Sequence, residues 1–396
     1  MIKRVSWPVT QDFNCFECRA KRPEPLFYQR TVKNRKSQII GAVRELSRSF
    51  SQRTIPADYM DRSESREAYG AYYGEVGRAK GEALGEEILL RGTPELFRKE
   101  RLRILDLGSG TGEFSLALAR TLLASCPVSV DLHMVDRSEE ALVRIAGDKD
   151  GSGLSLSYSR ALLPAERPFL GEGWDIVSMA NCLAENESAH EGFAELFGAV
   201  VDVLSPEGLL LLVEPADKRS SRALLSLGDS LLERTPGLVL LAPCPGSRSA
   251  PCPALSDPDN WCHEDRPAGF SGELLRTAEA VGHVKDALKM TYLLFSRSSP
   301  LQAPALRLVS PLHREKGLFW GDFCDGREWA RIRLLTRNKG ELTRDFSRLR
   351  RGETIAPPPD WPPVKTGLFD WPKDRPIVRL SHPDGRPFEP GGREPS

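Results

Sequence analysis

Hydrophobic residues along this chain fall into two periods. Between residues 101 and 214, short apolar runs recur at 104–107, 130–135, 154–158, 175–179 and 209–213, each the length of a buried strand. The stretches 113–123, 138–146 and 187–204 lie among them, with apolar positions three and four residues apart, the period of a helix face. Strands alternating with helices predict a parallel, doubly wound α/β sheet. Right-handed crossovers then gather a ligand site at the carboxyl ends of the strands. Ser205-Pro206-Glu207-Gly208 reads as a turn before the fifth strand. Further on, 272–281 has helical spacing, 290–295 and 306–309 read as closing strands, and 316–337 as a β-extension. Upstream, 58–100 is helical, and Tyr59, Tyr69, Tyr72 and Tyr73 give it an aromatic face that suits packing better than base stacking. The predicted organisation is a basic arm (1–54), a helical cap (55–100), a core domain (101–310), an extension (311–351) and an extended Pro/Gly-rich tail (352–396) that wraps the domain or stays mobile.

The run at 104–107 leads into Gly108, Gly110 and Gly112, and then into a helix from Glu113. Glycines permit positive φ and let a ligand approach the backbone, and the helix start offers free N–H groups. A dinucleotide fingerprint would need a small residue at 113, and Glu113 stands there. Asp106 would repel a pyrophosphate and suits a cationic ligand. The pattern D-x-G-x-G-x-G resembles motif I of the class I S-adenosylmethionine (SAM) methyltransferases. That resemblance implies a SAM site on Asp106, Gly108, Gly110 and Gly112, with Asp136 at the second strand end holding the ribose hydroxyls. The fourth strand end, Met179-Ala180-Asn181-Cys182-Leu183-Ala184-Glu185, lacks the polar-Pro-Pro-aromatic platform of base amino-methyltransferases. Cys182 has no preceding proline and reads as a small apolar residue, not as a nucleophile. No general base can be named from the sequence.

The 396 residues hold 55 Lys and Arg and 55 Asp and Glu, so any nucleic-acid affinity must come from local patches. Two exist. Residues 1–53 carry 12 basic residues against four acids, and 327–351 carry nine against three, with Arg331, Arg333 and Arg337 as candidate phosphate contacts. A solvated basic face is the plainer reading of each. No apolar run reaches the length of a transmembrane helix, and the first ten residues lack a signal-peptide core.

Eight cysteines without a secretory signal suggest a reducing compartment and metal ligation in place of a disulfide framework. Cys15 and Cys18 form a lone C-x-x-C, half a zinc site at most. Cys244, Cys252 and Cys262 stand in a Pro/Ser/Gly-rich loop, 241–266, which has few apolar anchors of its own. Cys324, in Gly321-Asp-Phe-Cys-Asp-Gly326, is the one cysteine downstream that could close a four-thiolate site. Spacing does not separate an iron–sulfur cluster from zinc. A third reading makes Pro243-Cys244 a methyltransferase nucleophile, but it follows the fifth strand where the fourth would be expected.

Motif I, Leu-Val-Glu-Pro at 212–215, the Pro-Cys-Pro…Pro-Cys-Pro…Trp-Cys-His run and Cys-Asp-Gly followed by Thr336-Arg-Asn-Lys-Gly-Glu341 together resemble the Rsm-twenty-two family. These are methyltransferase-like assembly factors of the small ribosomal subunit in mitochondria, with bacterial relatives. The resemblance spans residues 55–350. It implies a [4Fe–4S] cluster on Cys244, Cys252, Cys262 and Cys324, and binding to the small ribosomal subunit and its rRNA. It further implies a cytoplasmic setting in a bacterium or a mitochondrial one in a eukaryote. The expected protein is a monomer without membrane or DNA partners. Its rivals are a non-catalytic assembly factor that keeps the fold, and a small-molecule methyltransferase with structural zinc.

Overall fold

The computed structural model describes residues 26–145, 153–167, 171, 173–185, 190–246, 251–298, 303–336, 340–359 and 361–388. Cys15, Cys18, Arg337 and the first part of the basic arm lie outside the described residues.

The described residues open with four α-helices, α1 (Leu26–Gln52), α2 (Ser63–Tyr69), α3 (Glu75–Arg91) and α4 (Pro94–Phe97), with a π-helical turn over Gly70–Gly74 joining α2 to α3. An alternating series follows: β1 (Arg101–Leu107), α5 (Glu113–Ser125), β2 (Ser129–Asp136), α6 (Glu139–Ile145), β3 (Leu154–Arg160), β4 (Trp174–Ala180), α7 (His190–Val203), β5 (Leu204–Glu214) and α8 (Lys218–Arg234). Then come β6 (Val239–Ala242), β7 (Glu264–Arg266), α9 (Gly272–Val281) and β8 (Leu288–Ser296). The first sheet has the order β3-β2-β1-β4-β5-β8-β6, with β7 also paired to β8. Its two faces are covered by separate apolar clusters. One gathers Phe193, Phe197 and Val200 of α7 with Leu224 and Leu231 of α8. The other gathers Leu84 and Ile88 of α3 with Leu118 and Leu122 of α5. Burial on both faces explains why these strands read as continuous apolar runs.

The expected parallel arrangement holds for β3, β2, β1, β4 and β5. It ends there, because β8 runs antiparallel to β5, and β6 and β7 run antiparallel to β8. The turn expected at 205–208 is instead taken into β5, with a register irregularity where β5 meets β4. The closing strand expected at 306–309 leaves this sheet altogether.

A second sheet holds β9 (Leu306–Leu308), β10 (His313–Glu315), β11 (Leu318–Cys324), β12 (Trp329–Leu335), β13 (Thr354–Ile355), β14 (Leu368–Asp370) and β15 (Arg379–Ser381), with α10 (Glu341–Ser347) packed on it. The boundary between the two units therefore falls before β9, and not at 310. The tail is not a loose strap. Its strands β13, β14 and β15 belong to the sheet, and Trp371 is 3 % exposed in a core with Phe323, Ile332 and Phe346. Its prolines fall between very short strands, which hides the alternating pattern from a sequence reading. Nor is the end of the basic arm a solvated face. Val43 and Leu46 of α1 are buried against Tyr59, Met60 and Tyr72, which makes α1 part of the helical cap. Among the described residues no helix is long and apolar enough to cross a membrane.

Candidate cofactor cleft and cysteine cavity

The first site forms where β1 ends. Gly108 and Ser109 donate their N–H groups to Val135 O at 2.8 and 3.0 Å, so the glycine turn is pinned to the end of β2. Gly108 has φ +72°, and a Cβ there would lie 2.7 Å from Cys182 Sγ; only glycine fits. Asp136 sits at the end of β2 and accepts N–H bonds from Gly110 (2.8 Å) and Ser138 (2.9 Å). Burial pushes its carboxyl above the ordinary aspartate range, and those two N–H groups oppose the rise.

Gly108, Gly110 and Asp136 line a cleft of about 610 Å³ of empty space, open mouth included. Asp106 and Gly112 are not among its lining residues. Asp106 is 2 % exposed and accepts a 2.6 Å bond from Ser178 Oγ, which braces β1 against β4 beneath the turn. Burial raises its carboxyl to about 6, with the Ser178 and Ser115 hydroxyls holding it lower than burial alone would. Gly112 takes φ +75° as the N-cap of α5. Of the five expected cofactor residues, three face the cleft and two build the turn behind it.

The rest of the cleft wall carries no motif in the sequence. Tyr59, Met60 and Tyr69 reach it from the cap, Ala161, Leu162 and Leu163 from the end of β3, and Asn181, Cys182 and Glu185 from the segment after β4. The cap tyrosines do pack, as expected, with Tyr69 stacked on Tyr73 at 5.3 Å. Two of the four also face the cleft, which their packing role had concealed. Asn181 has φ +59° and accepts a 2.8 Å bond from Lys80 Nζ. Lys80, on α3, is 4 % exposed, and burial drives its ammonium down while it drives the Glu214 carboxyl up. Glu214, wholly buried at the end of β5, accepts the N–H groups of Leu183 (2.9 Å) and Ala184 (3.0 Å) and so fixes the segment after β4.

The second site lies at the seam of the two sheets. Cys244, Cys252, Cys262 and Cys324 line one cavity with Pro243, Pro253 and Trp329. Cys324 ends β11, is cross-strand neighbour to Arg307 of β9, and accepts the Gly326 N–H at 3.3 Å. Gly326, at φ +92°, passes so close to Pro245 that a Cβ would lie 2.6 Å from the Pro245 carbonyl oxygen. Cys324, inside the stretch 316–337 read as a β-extension, thus lies beside the three loop cysteines. Cys126 and Cys182 are not among the cavity's lining residues.

Among the described residues, no three or more His, Cys, Asp and Glu side chains could hold a single metal ion. The donor set is nonetheless soft and free of disulfides. Burial pushes the Cys262 thiol up to about 11 and the Cys324 thiol up to about 12. Cys244 is raised by burial and then by its three thiol neighbours, with Arg307 pulling the other way. Four adjoining thiols beside guanidinium groups fit a group that takes thiolates and displaces their protons.

The loop has more support than its composition suggests. Arg222 of α8 donates to the carbonyls of Ala254 (3.1 Å), Asp257 (2.8 Å) and Asn260 (2.7 Å). Asp229 accepts the Cys252 N–H at 2.9 Å, and Trp261 Nε1 donates to Ala216 O at 3.1 Å. Polar clamps from α8 therefore help to hold a loop that has few apolar anchors of its own. Arg331 pairs with Asp322 at 2.9 Å and Arg333 with Asp370 at 2.7 Å, so two of the candidate phosphate contacts of the basic stretch have partners within the chain.

Residues 104–208 match the family model described as a methyltransferase domain. They run from within β1, through the glycine turn, to the first residues of β5, and are a minority of the chain. Comparison with curated proteins returns no match. Solved structures with a likeness include an S-adenosylmethionine-dependent methyltransferase from Clostridium acetobutylicum, at 12 % identity over 55 % of this chain and 90 % of that one, with a TM-score of 0.31. YcgJ protein from Bacillus subtilis shows 14 % identity over 55 % of this chain and 99 % of its own, with a TM-score of 0.33. Phosphoethanolamine N-methyltransferase 2 from Haemonchus contortus, solved with S-adenosyl-L-methionine, shows 18 % identity over 57 % of this chain and 40 % of its own, with a TM-score of 0.29. At these scores the structural likenesses carry no functional argument. The segment that matches the methyltransferase-domain model is the one that carries the glycine turn and Asp136.

Proposed function

We propose that the chain is a SAM-dependent methyltransferase acting on rRNA of the small ribosomal subunit, and that its four-cysteine cavity holds a [4Fe–4S] cluster. The observation that carries the first part is the cleft, where Gly108, Gly110 and the carboxylate of Asp136 converge inside a methyltransferase domain. Asp136 keeps lone pairs for ribose hydroxyls beyond the two N–H groups it accepts. Gly108 and Gly110 present backbone and no side chain to the cleft. SAM supplies an activated methyl on a sulfonium. The residues of the chain orient that methyl and exclude water, so positioning is the main source of rate. One observation favours the non-catalytic assembly factor as second reading: Met60 Cε lies 3.4 Å from where a Gly110 Cβ would be, so the cap sits close on the turn.

For the cluster, the support is the shared cavity of Cys244, Cys252, Cys262 and Cys324 and the resemblance of their Cys-Pro phrasing. A [4Fe–4S] cluster and zinc both take four thiolates, and the resemblance is what favours the cluster. For RNA, the support is an open groove between the β10–β11 hairpin and α10. Arg314, Lys316 and Arg350 line it and are exposed.

Three outcomes are expected. Calorimetry should detect SAM binding to the wild-type chain and none to Gly110→Arg, whose side chain fills the cleft. A folded wild-type protein that does not bind SAM would remove the enzyme reading and leave the assembly factor. Protein purified without oxygen should carry about four iron and four sulfide per chain, and Cys324→Ser should lose them. Zinc in their place, or no metal, would overturn the cluster. Association with small subunits should weaken steeply with added salt as phosphate contacts release counterions. It should weaken further with Arg314→Glu, Lys316→Glu and Arg350→Glu combined. Salt-independent association would count against RNA as the partner.

A further inference from the structure

We infer that Glu185 is the proton acceptor of the transfer step, taking the proton from the N–H or O–H group that is methylated, with Tyr59 as the residue that positions it. This rests on the methyltransferase reading above and adds a residue role that the family match does not supply.

Most of the carboxylates around the cleft are already engaged. Both oxygens of Asp136 accept backbone N–H groups, Asp106 is held by Ser178 below the turn, and both oxygens of Glu214 are held by Leu183 and Ala184. Glu185 differs. It lines the same cleft, remains partly exposed there, and among the described residues makes no ion pair. Its carboxylate accepts a hydrogen bond from Tyr59 Oη, at 3.1 Å to Oε1 and 3.3 Å to Oε2.

The backbone before it is fixed from two sides. Glu214 holds the N–H groups of Leu183 and Ala184, and Arg53 Nη1 donates to Ala184 O at 3.0 Å. Arg53 is itself tied to Ser220 Oγ at 2.5 Å. Leu183 and Ala184 are buried while Glu185 reaches the cleft. Such support holds one side chain in place without spending its lone pairs, which is what a proton acceptor needs.

The charges around it agree. Tyr59 and Tyr69 face it from the cap, Arg53 from the end of α1, Asp136 and Arg137 from the end of β2, Cys182 from its own segment and Glu214 from the end of β5. Burial raises its carboxyl to about 7, with the Tyr59 hydroxyl, Arg137 and Arg53 opposing and Asp136 adding to the rise. A base poised near neutrality is ionised often enough to accept a proton and basic enough to keep it.

The step balances. The acceptor's nitrogen or oxygen lone pair forms the new bond to the methyl carbon. The carbon–sulfur bond breaks, and its electron pair stays on sulfur, giving a neutral thioether. The acceptor's proton passes to a Glu185 carboxylate oxygen and from there to solvent. The acceptor class is therefore a group that still carries a proton to lose.

The test uses the full chain, methyl-labelled SAM, and both purified small-subunit RNA and intact small subunits as acceptors. S-adenosylhomocysteine binding is measured alongside by calorimetry. Wild-type single-turnover rates should rise tenfold per pH unit and level off above about 7. Glu185→Gln should bind S-adenosylhomocysteine like wild type yet transfer methyl some 10²–10⁴-fold more slowly. Tyr59→Phe should bind normally, with its rate inflection moved to higher pH, because the hydroxyl that stabilises the carboxylate is gone. Glu185→Gln at the wild-type rate and with the wild-type pH profile overturns the assignment alone. Wild-type protein that binds S-adenosylhomocysteine but methylates neither acceptor overturns the enzymatic reading and the role of Glu185 with it. Protein that does not bind S-adenosylhomocysteine overturns the cofactor reading itself.

Discussion

Four buried side chains, Glu87, Arg266, Glu264 and Arg307, tie together three parts of the chain that share no strand ladder. Arg266 of β7 reaches Glu87 of α3 at 2.9 Å and donates to Tyr292 Oη of β8 at 2.9 Å. Glu264 of β7 pairs with Arg307 of β9 and lies 3.9 Å from Arg266. All four are close to fully buried, so the charges compensate one another and little water helps. Removing one partner of such a chain leaves a buried charge and costs about 3–5 kcal/mol. Both sites depend on the chain. At one end α3 carries Lys80 to Asn181 at the cofactor cleft. At the other, β7 begins two residues after Cys262, and Arg307 stands across from Cys324. A helical cap, a methyltransferase-type sheet and a second small sheet are thereby held in one arrangement.

How much of this was legible in the sequence follows from how local each signal is. The turn from β1 to α5 could be read because its glycines, its strand and its helix are contiguous, and Asp136 because it ends the next apolar run. The parallel half of the sheet followed from alternation. Its antiparallel end did not, since β6, β7 and β8 are separated by a loop whose cysteines dominate the reading. The second sheet was hidden in a different way. Strands of two or three residues, such as β13 and β15, show no period, and their core residue Trp371 looks like a stray aromatic in a proline-rich tail.

The wall of the cleft opposite the glycines was the least legible part. Tyr59 and Tyr69 come from a helical segment far upstream, and their spacing fits packing, which they also do. Glu185 stands in a segment that was read for a proline platform it lacks. Only the fold brings it to Tyr59, 126 residues away. The basic C-terminal stretch shows the reverse problem. Its composition promised free charge at Arg331 and Arg333, and the cross-strand partner Asp322 and the tail residue Asp370 take up both.

The central claim is that the cleft bounded by Gly108, Gly110, Asp136 and the cap receives the nucleoside of SAM. The most direct measurement is a crystal structure of the full chain grown with S-adenosylhomocysteine. The account predicts ribose hydroxyls on the Asp136 carboxylate and the sulfur facing the segment that carries Glu185. A bound ligand elsewhere on the molecule, or in this cleft with its ribose turned away from Asp136, would contradict it.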